Sequence, residues 1–308
     1  MSQTPASTLK PEAVAPVSRG REYYELCKPR VVMLIVFTAI VGMFLAVPGL
    51  PPLAALLWGT IGISLQAASA AAVNQIIDRE IDARMARTCG RPLVTGTLSL
   101  TESIAFATAI GLAGFAVLWF LVNPLTAVLT QLTLVGYAGV YTLFLKRATP
   151  QNIVIGGASG AAPPVLGWVA VTGTIDPHSL ILFLIIFIWT PPHFWALALL
   201  KQVDYGRAKV PMAPLVWGER ETMHQMVWYT VILVVLTLLP VLFGAFGTLY
   251  LVSAIVLNAL LAGGIAKMLM AARAGRPWSG PAWWVYKYSL LYLALLFLAM
   301  AVDRALTR

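Results

Sequence analysis

Long apolar runs separated by short polar gaps dominate the chain. Crossing about 30 Å of hydrocarbon takes roughly 20 apolar residues in a helix. Segments that meet this requirement fall near 31–47, 53–77, 101–121, 125–145, 151–171, 179–200, 226–244, 248–268 and 283–302. The shallowest break is Gly244-Ala245-Phe246-Gly247-Thr248. The pattern predicts an all-α, polytopic membrane protein of nine transmembrane helices, with its termini on opposite faces.

The polar gaps separate into two classes. Those at 48–52, 122–124, 172–178 and 245–247 hold no Lys or Arg. The alternate ones, at 1–30, 78–100, 146–150, 201–225 and 267–282, hold 18 of the 21 basic residues. Lys and Arg accumulate on the cytoplasmic side of membrane proteins. The alternation therefore supports the count of nine and puts the N-terminus in the cytoplasm. Two cytoplasmic loops, 78–100 and 201–225, are long and rich in ionisable groups. They follow spans four apart, a faint sign of an internal four-helix duplication.

Composition agrees. The 308 residues are 59% hydrophobic and 11% charged, with a mean hydropathy of +0.83. Soluble domains carry about a quarter charged residues, so the lipid bilayer is part of this chain's solvent. The net charge of +9 follows from the loop pattern and points to no nucleic-acid partner. Residues 1–20 are rich in Pro, Ala and Ser and lack a continuous apolar stretch, so they read as a disordered cytoplasmic tail. Residues 21–308 read as one domain. Cys27 and Cys89 read as free, reduced thiols, and the ten Trp mostly flank span ends as an aromatic belt.

Candidate chemistry gathers at the cytoplasmic end of the second span. Asn74, Asp78 and Asp82 are spaced i, i+4 and i+8, so one helix face presents an amide and two carboxylates in a column. Hard oxygen ligands with open positions suit Mg²⁺. The plainer reading is a solvated helix end neutralised by Arg79 and Arg84, which leaves the deeper Asn74 unexplained. Arg84, Arg87 and Arg91 follow, and guanidinium forks beside a metal site suit a diphosphate. Lys146 and Arg147 end the fourth span on the same face, as diphosphate ligands or as interfacial anchors. Asp204 and Tyr205 open the second long loop at the same depth.

Two further segments stand out. In the sixth span, Trp189-Thr190-Pro191-Pro192-His193-Phe194-Trp195 is expected to break the helix ladder. His193 lies within it as a structural or a ligating residue. In the fifth, Gly156-Gly157-Ala158-Ser159-Gly160-Ala161-Ala162-Pro163-Pro164 gives close helix packing or room for a bulky ligand.

Together these motifs resemble the UbiA-type intramembrane prenyltransferases. The stretch Asn74–Gly96 is similar to that family's first aspartate-rich motif, and its continuation through Arg87, Arg91, Pro92 and Leu93 is similar to the branch that acts on haem. Lys28-Pro29-Arg30, Pro163–Trp168, Trp189–Trp195, Asp204-Tyr205 and Val210-Pro211-Met212 extend the resemblance over residues 22–303.

The resemblance implies nine helices around a central cavity in the cell inner (plasma) membrane. It implies farnesyl diphosphate and protohaem IX as substrates, haem O as product, Mg²⁺ as cofactor, and a haem A synthase or terminal oxidase as partner. On it, Asp78, Asp82 and Asp204 are catalytic. Asn74, Asp78, Asp82 and Asp204 hold the metal. Asn74, Arg87, Arg91, Lys146, His193 and Tyr205 bind substrate. Two positions depart from the family: Ala208 stands four residues after Asp204, where quinone-type members have a second aspartate, and Lys209 stands where a small residue is expected. Rival readings are another prenyl acceptor, a transporter and a haem-delivery partner without the column.

Overall fold

In a computed structural model of the chain, residues 18–307 are described, and these form helices joined by short turns, with no strand among them. Nine of the described helices are long and apolar enough to cross a membrane. They run Pro29–Ala46, Leu53–Asp82, Leu100–Leu121, Pro124–Leu145, Asn152–Thr172, Pro177–Leu200, Glu219–Leu242, Thr248–Arg273 and Ser279–Leu306. The expected tail lies mostly outside the described residues. Arg19 and Gly20, assigned to it from sequence, already belong to a short helix, Arg19–Leu26.

Several helices overrun their apolar windows. The second continues from the expected end at 77 to Asp82, and the seventh starts at Glu219 rather than 226. Hydropathy marks only the part that must sit in lipid, whereas backbone hydrogen bonding carries a helix on until a cap stops it. The starts are well specified. Ser99 and Glu102 form a reciprocal capping box, and Asn123 and Asp176 cap helices whose first residues are Pro124 and Pro177. The shallow break at 244–248 is real: the Asp303 carboxylate, from the end of the ninth span, accepts from the amides of Gly247 at 2.6 Å and Tyr250 at 3.0 Å.

The irregularities are not where Pro191 and Pro192 suggested. The sixth span is one continuous helix with Pro191 and Pro192 inside it. Their missing N–H groups cost the carbonyls of Phe187 and Ile188 their ladder donors, but the span packs on neighbours along its whole length and holds its shape. The interruption lies instead in the fifth span, where Asn152–Ala161 gives way at Ala162 to a new helix, Pro163–Thr172. The fourth span also changes form, running as α-helix to Val135 and as π-helix over Gly136–Leu145.

Packing accounts for part of the small-residue stretch. A Cβ on Gly167 would lie 1.9 Å from the Ala39 carbonyl oxygen, and one on Gly42 would lie 2.2 Å from that of Pro164. The first and fifth spans therefore touch backbone to backbone. The largest apolar cluster lies mainly among spans six to nine, around Trp195, Tyr250, Tyr292 and Phe297.

Lys209 stands in a left-handed turn. Its φ is +53°, a left-handed conformation that Gly adopts freely and that costs an L-residue roughly 1–2 kcal/mol. This is why a small residue is expected there. Lys209→Gly should keep or raise the thermal midpoint, while Lys209→Val should lower stability by about 1–2 kcal/mol. Equal midpoints for Gly and Val, by fluorescence-monitored melting in detergent, would contradict this.

Candidate functional site

The long second helix carries Asn74, Asp78 and Asp82 as a buried column, each under 5% exposed. Burying two carboxylates costs several kcal/mol each unless they are paired. Here every member of the column meets its own cation. The Lys28 amine donates to Asn74 Oδ1, the Lys146 amine donates to Asp78 Oδ2 at 2.6 Å, and the Arg91 guanidinium pairs with Asp82 Oδ2. The Asn74 amide donates to Asp78 Oδ2 at 3.0 Å and to Thr142 Oγ1 at 3.1 Å, and Thr142 in turn donates to the Tyr137 carbonyl.

Arg79 and Arg84 do not neutralise Asp82, as the plainer reading expected. Arg79 turns back to the Ile76 carbonyl and to Glu80, and Arg84 is exposed. Arg91 reaches Asp82 because the chain coils back through a run of turns, pinned where Thr88 Oγ1 donates to the Asp82 carbonyl at 3.0 Å.

One atom of this network is left bare. Asp78 Oδ1 is buried with no hydrogen-bond partner, although a buried carboxylate oxygen normally accepts several bonds. An anionic oxygen left bare beside an amide and a second carboxylate is a donor set that fits a hard divalent cation. Among the described residues no three His, Cys, Asp or Glu side chains form a ready-made cluster. The column supplies two carboxylates and an amide, which leaves positions open for further ligands.

The second loop folds over the first. Ile81 and Met85 pack against Ala208, Val210 and Met212, with Tyr205 on the rim. Burial raises the Tyr205 phenol, and the positive charge of Arg87 opposes that shift. Arg87 itself is exposed and carries no ion pair among the described residues. Asp204 is buried at 8% exposure in the short helix Gln202–Arg207, without a hydrogen bond or ion pair to the column. Of the expected site residues, Asn74, Asp78, Asp82, Arg91 and Lys146 thus form one bonded network, Arg87 lies in the first loop, and Asp204 and Tyr205 belong to the flap that the second loop makes over it. The side chain of Arg147 lies outside the described residues.

His193 stands apart. It is buried on the sixth span, stacked on Trp189 at 4.6 Å and Tyr286 at 5.0 Å, and its Nδ1 lies 2.7 Å from Ser289 Oγ. Those contacts are those of a packed, hydrogen-bonded ring.

Lys28 and Thr142 escaped the sequence reading. Lys28 precedes the first span in a left-handed turn, φ +50°. Its amine is held down to about 7, chiefly by burial and next by Arg91. The basic-then-Pro start of the first span was the available signal. Thr142 gave none, because its facing depends on the π-helix.

A family profile described as the UbiA prenyltransferase family matches residues 35–290. A protein named protoheme IX farnesyltransferase from Nitrosococcus oceani is 54% identical over 95% of this chain and 96% of its own length. One of the same name from Saccharophagus degradans is 50% identical over 94% of each chain. Among solved structures, a digeranylgeranylglyceryl phosphate synthase superposes with a TM-score of 0.76 at 20% identity, covering 92% of this chain and 98% of that one. A UbiA homologue from Archaeoglobus fulgidus bound to GPP and Mg²⁺ gives 0.63 at 16% identity, covering 91% and 99%. At such identities the structures attest the fold alone.

Proposed function

The chain belongs to the UbiA prenyltransferase family, and on that premise we propose that it transfers the farnesyl group of farnesyl diphosphate to the 2-vinyl group of protohaem IX. The product is haem O, supplied to haem-copper terminal oxidases, with a haem A synthase or the oxidase as neighbour. The observation that carries the reading is the column Asn74–Asp78–Asp82, capped residue by residue with Lys28, Lys146 and Arg91 and left with one bare carboxylate oxygen. The acceptor is supported by relatives of at least 50% identity that bear the haem-specific name.

Asn74, Asp78 and Asp82, with Asp204 from the flap, would hold Mg²⁺. That ion, when bound, supplies positive charge to the diphosphate leaving group. Lys28, Lys146, Arg87 and Arg91 supply the rest, which lets the allylic C–O bond ionise toward a farnesyl cation. The apolar flap of Ile81, Met85, Val210 and Met212 excludes bulk water, which would otherwise quench that cation. The face of Tyr205 or Phe194 stabilises it. The vinyl carbon then attacks, and water adds to the resulting haem-side cation with loss of a proton, leaving a hydroxyethylfarnesyl substituent. His193, engaged by Ser289 and two rings, orients the haem-binding wall of the sixth span.

The charge alternation of the loops supports an N-terminus and a column on the cytoplasmic face of the inner membrane, and residues 21–308 would be the catalytic domain. The test is to incubate purified protein with protohaem IX, farnesyl diphosphate and Mg²⁺ and to seek haem O by mass spectrometry. Haem O should form, cease on chelation and return with added Mg²⁺. Prenylation of a quinone precursor instead of haem would overturn the acceptor, and turnover in excess chelator would overturn the metal.

A further inference from the structure

At the membrane face opposite the column, a cleft of about 370 Å³ opens between the ends of the first, fifth, seventh and ninth spans and the start of the sixth. Its walls include Leu45, Phe243 and Phe246, and its polar groups include His178 and Arg304. Trp168, also in the wall, lies parallel to the His178 ring at 6.4 Å.

Two features of these polar groups leave them free to take a ligand. Asp176 Oδ1 lies 2.7 Å from His178 Nδ1 and also accepts from the His178 amide at 2.8 Å. A carboxylate only accepts, so Nδ1 carries the proton and the ring's lone pair lies on Nε2. A carboxylate behind an imidazole is the usual support of a metal-ligating histidine. Both His178 contacts hold the Asp176 carboxyl below its ordinary range, which keeps it charged and bonded. Arg304, half-buried, has no hydrogen bond or ion pair among the described residues, although a guanidinium offers five donors.

A bare metal ion does not suit this cleft. It holds one free imidazole nitrogen, and no metal-binding group of three His, Cys, Asp or Glu exists among the described residues. One imidazole is enough for a metal already held in a macrocycle, and the apolar walls and the guanidinium suit a flat ring system that carries carboxylates. We propose that this outer cleft is a second haem site, with His178 Nε2 as axial ligand and Arg304 on a propionate. It rests on the reading of haem as substrate and adds a place where haem or its farnesylated product is held on the far face.

The test uses the purified chain in detergent with ferric protohaem, followed by Soret titration. The wild type should bind two equivalents per chain, one with the spectrum of an imidazole-ligated haem. His178→Ala should lose that equivalent, and added free imidazole should restore its spectrum. Arg304→Gln should weaken it by about tenfold, the loss of one charge-assisted contact. Both variants should keep the wild-type melting midpoint and still make haem O. A single equivalent in the wild type, or two in His178→Ala, would overturn the proposal. So would a tightly held phospholipid lost in Arg304→Gln while haem stoichiometry stays unchanged, which would make the cleft a lipid site. Failure to make haem O while the second equivalent still depends on His178 would refute the reaction and leave this site standing.

Discussion

Asp78→Asn should lower kcat for farnesyl transfer by about 10³-fold or more and leave the fold intact. The substitution keeps the side-chain volume and an oxygen for the Lys146 amine, which lies 2.6 Å away. It removes the charge that would make the bare Oδ1 a ligand of the proposed metal. Losing one preorganised electrostatic contact to a developing charge costs roughly 10²–10³ in rate, and Asp78 would serve the proposed metal as well as pairing with the lysine. Asp78→Ala is a poorer probe, because an unpaired buried Lys146 would cost about 3–5 kcal/mol of stability. The measurement is haem O formation under saturating Mg²⁺ at matched melting midpoints. Turnover within tenfold of wild type would remove Asp78 from the metal site.

The second large effect is on folding. Gly167→Ala would put a methyl 1.9 Å from the Ala39 carbonyl oxygen, with the carbonyl carbon at 2.7 Å. Backbone cannot move aside as a side-chain tip does, so the first and fifth spans must part. Overpacking of this kind costs about 3 kcal/mol or more. Most of the protein should elute as aggregate on size exclusion, or melt well below wild type. Gly160→Ala is the control: nothing lies within 4 Å of its would-be Cβ, and alanine favours a helix by up to about 1 kcal/mol. Similar elution and melting for both variants would show that the spans are not held at backbone contact.

These two positions show what the sequence made legible. Asp78 could be read directly, because a helix places residues four apart on one face and charged residues rarely enter apolar runs without a role. The nine spans were legible for the same reason, since lipid leaves the backbone few alternatives. Gly167 was legible only as a small residue, and its tight contact emerges from how two distant segments cross. The prolines misled. Pro191 and Pro192 break hydrogen bonds without breaking the helix, because neighbouring spans hold it straight. Lys28 meets Asn74 across 46 residues of chain, and no local pattern announces such a meeting.

The π-helix of the fourth span has a consequence for how this site tolerates change in length. A π-turn accommodates one residue more than an α-turn does. In an unbroken α-helix the loss of one residue would rotate everything after it by about 100°, the angle per residue, and would swing groups such as Thr142 and Lys146 off Asn74 and Asp78. Within 136–145 the same loss lets one π-turn close to an α-turn, and the residues beyond it keep nearly their facing. The π segment works as slack in the span: a one-residue deletion there is expected to leave Lys146 against Asp78, with the column itself untouched.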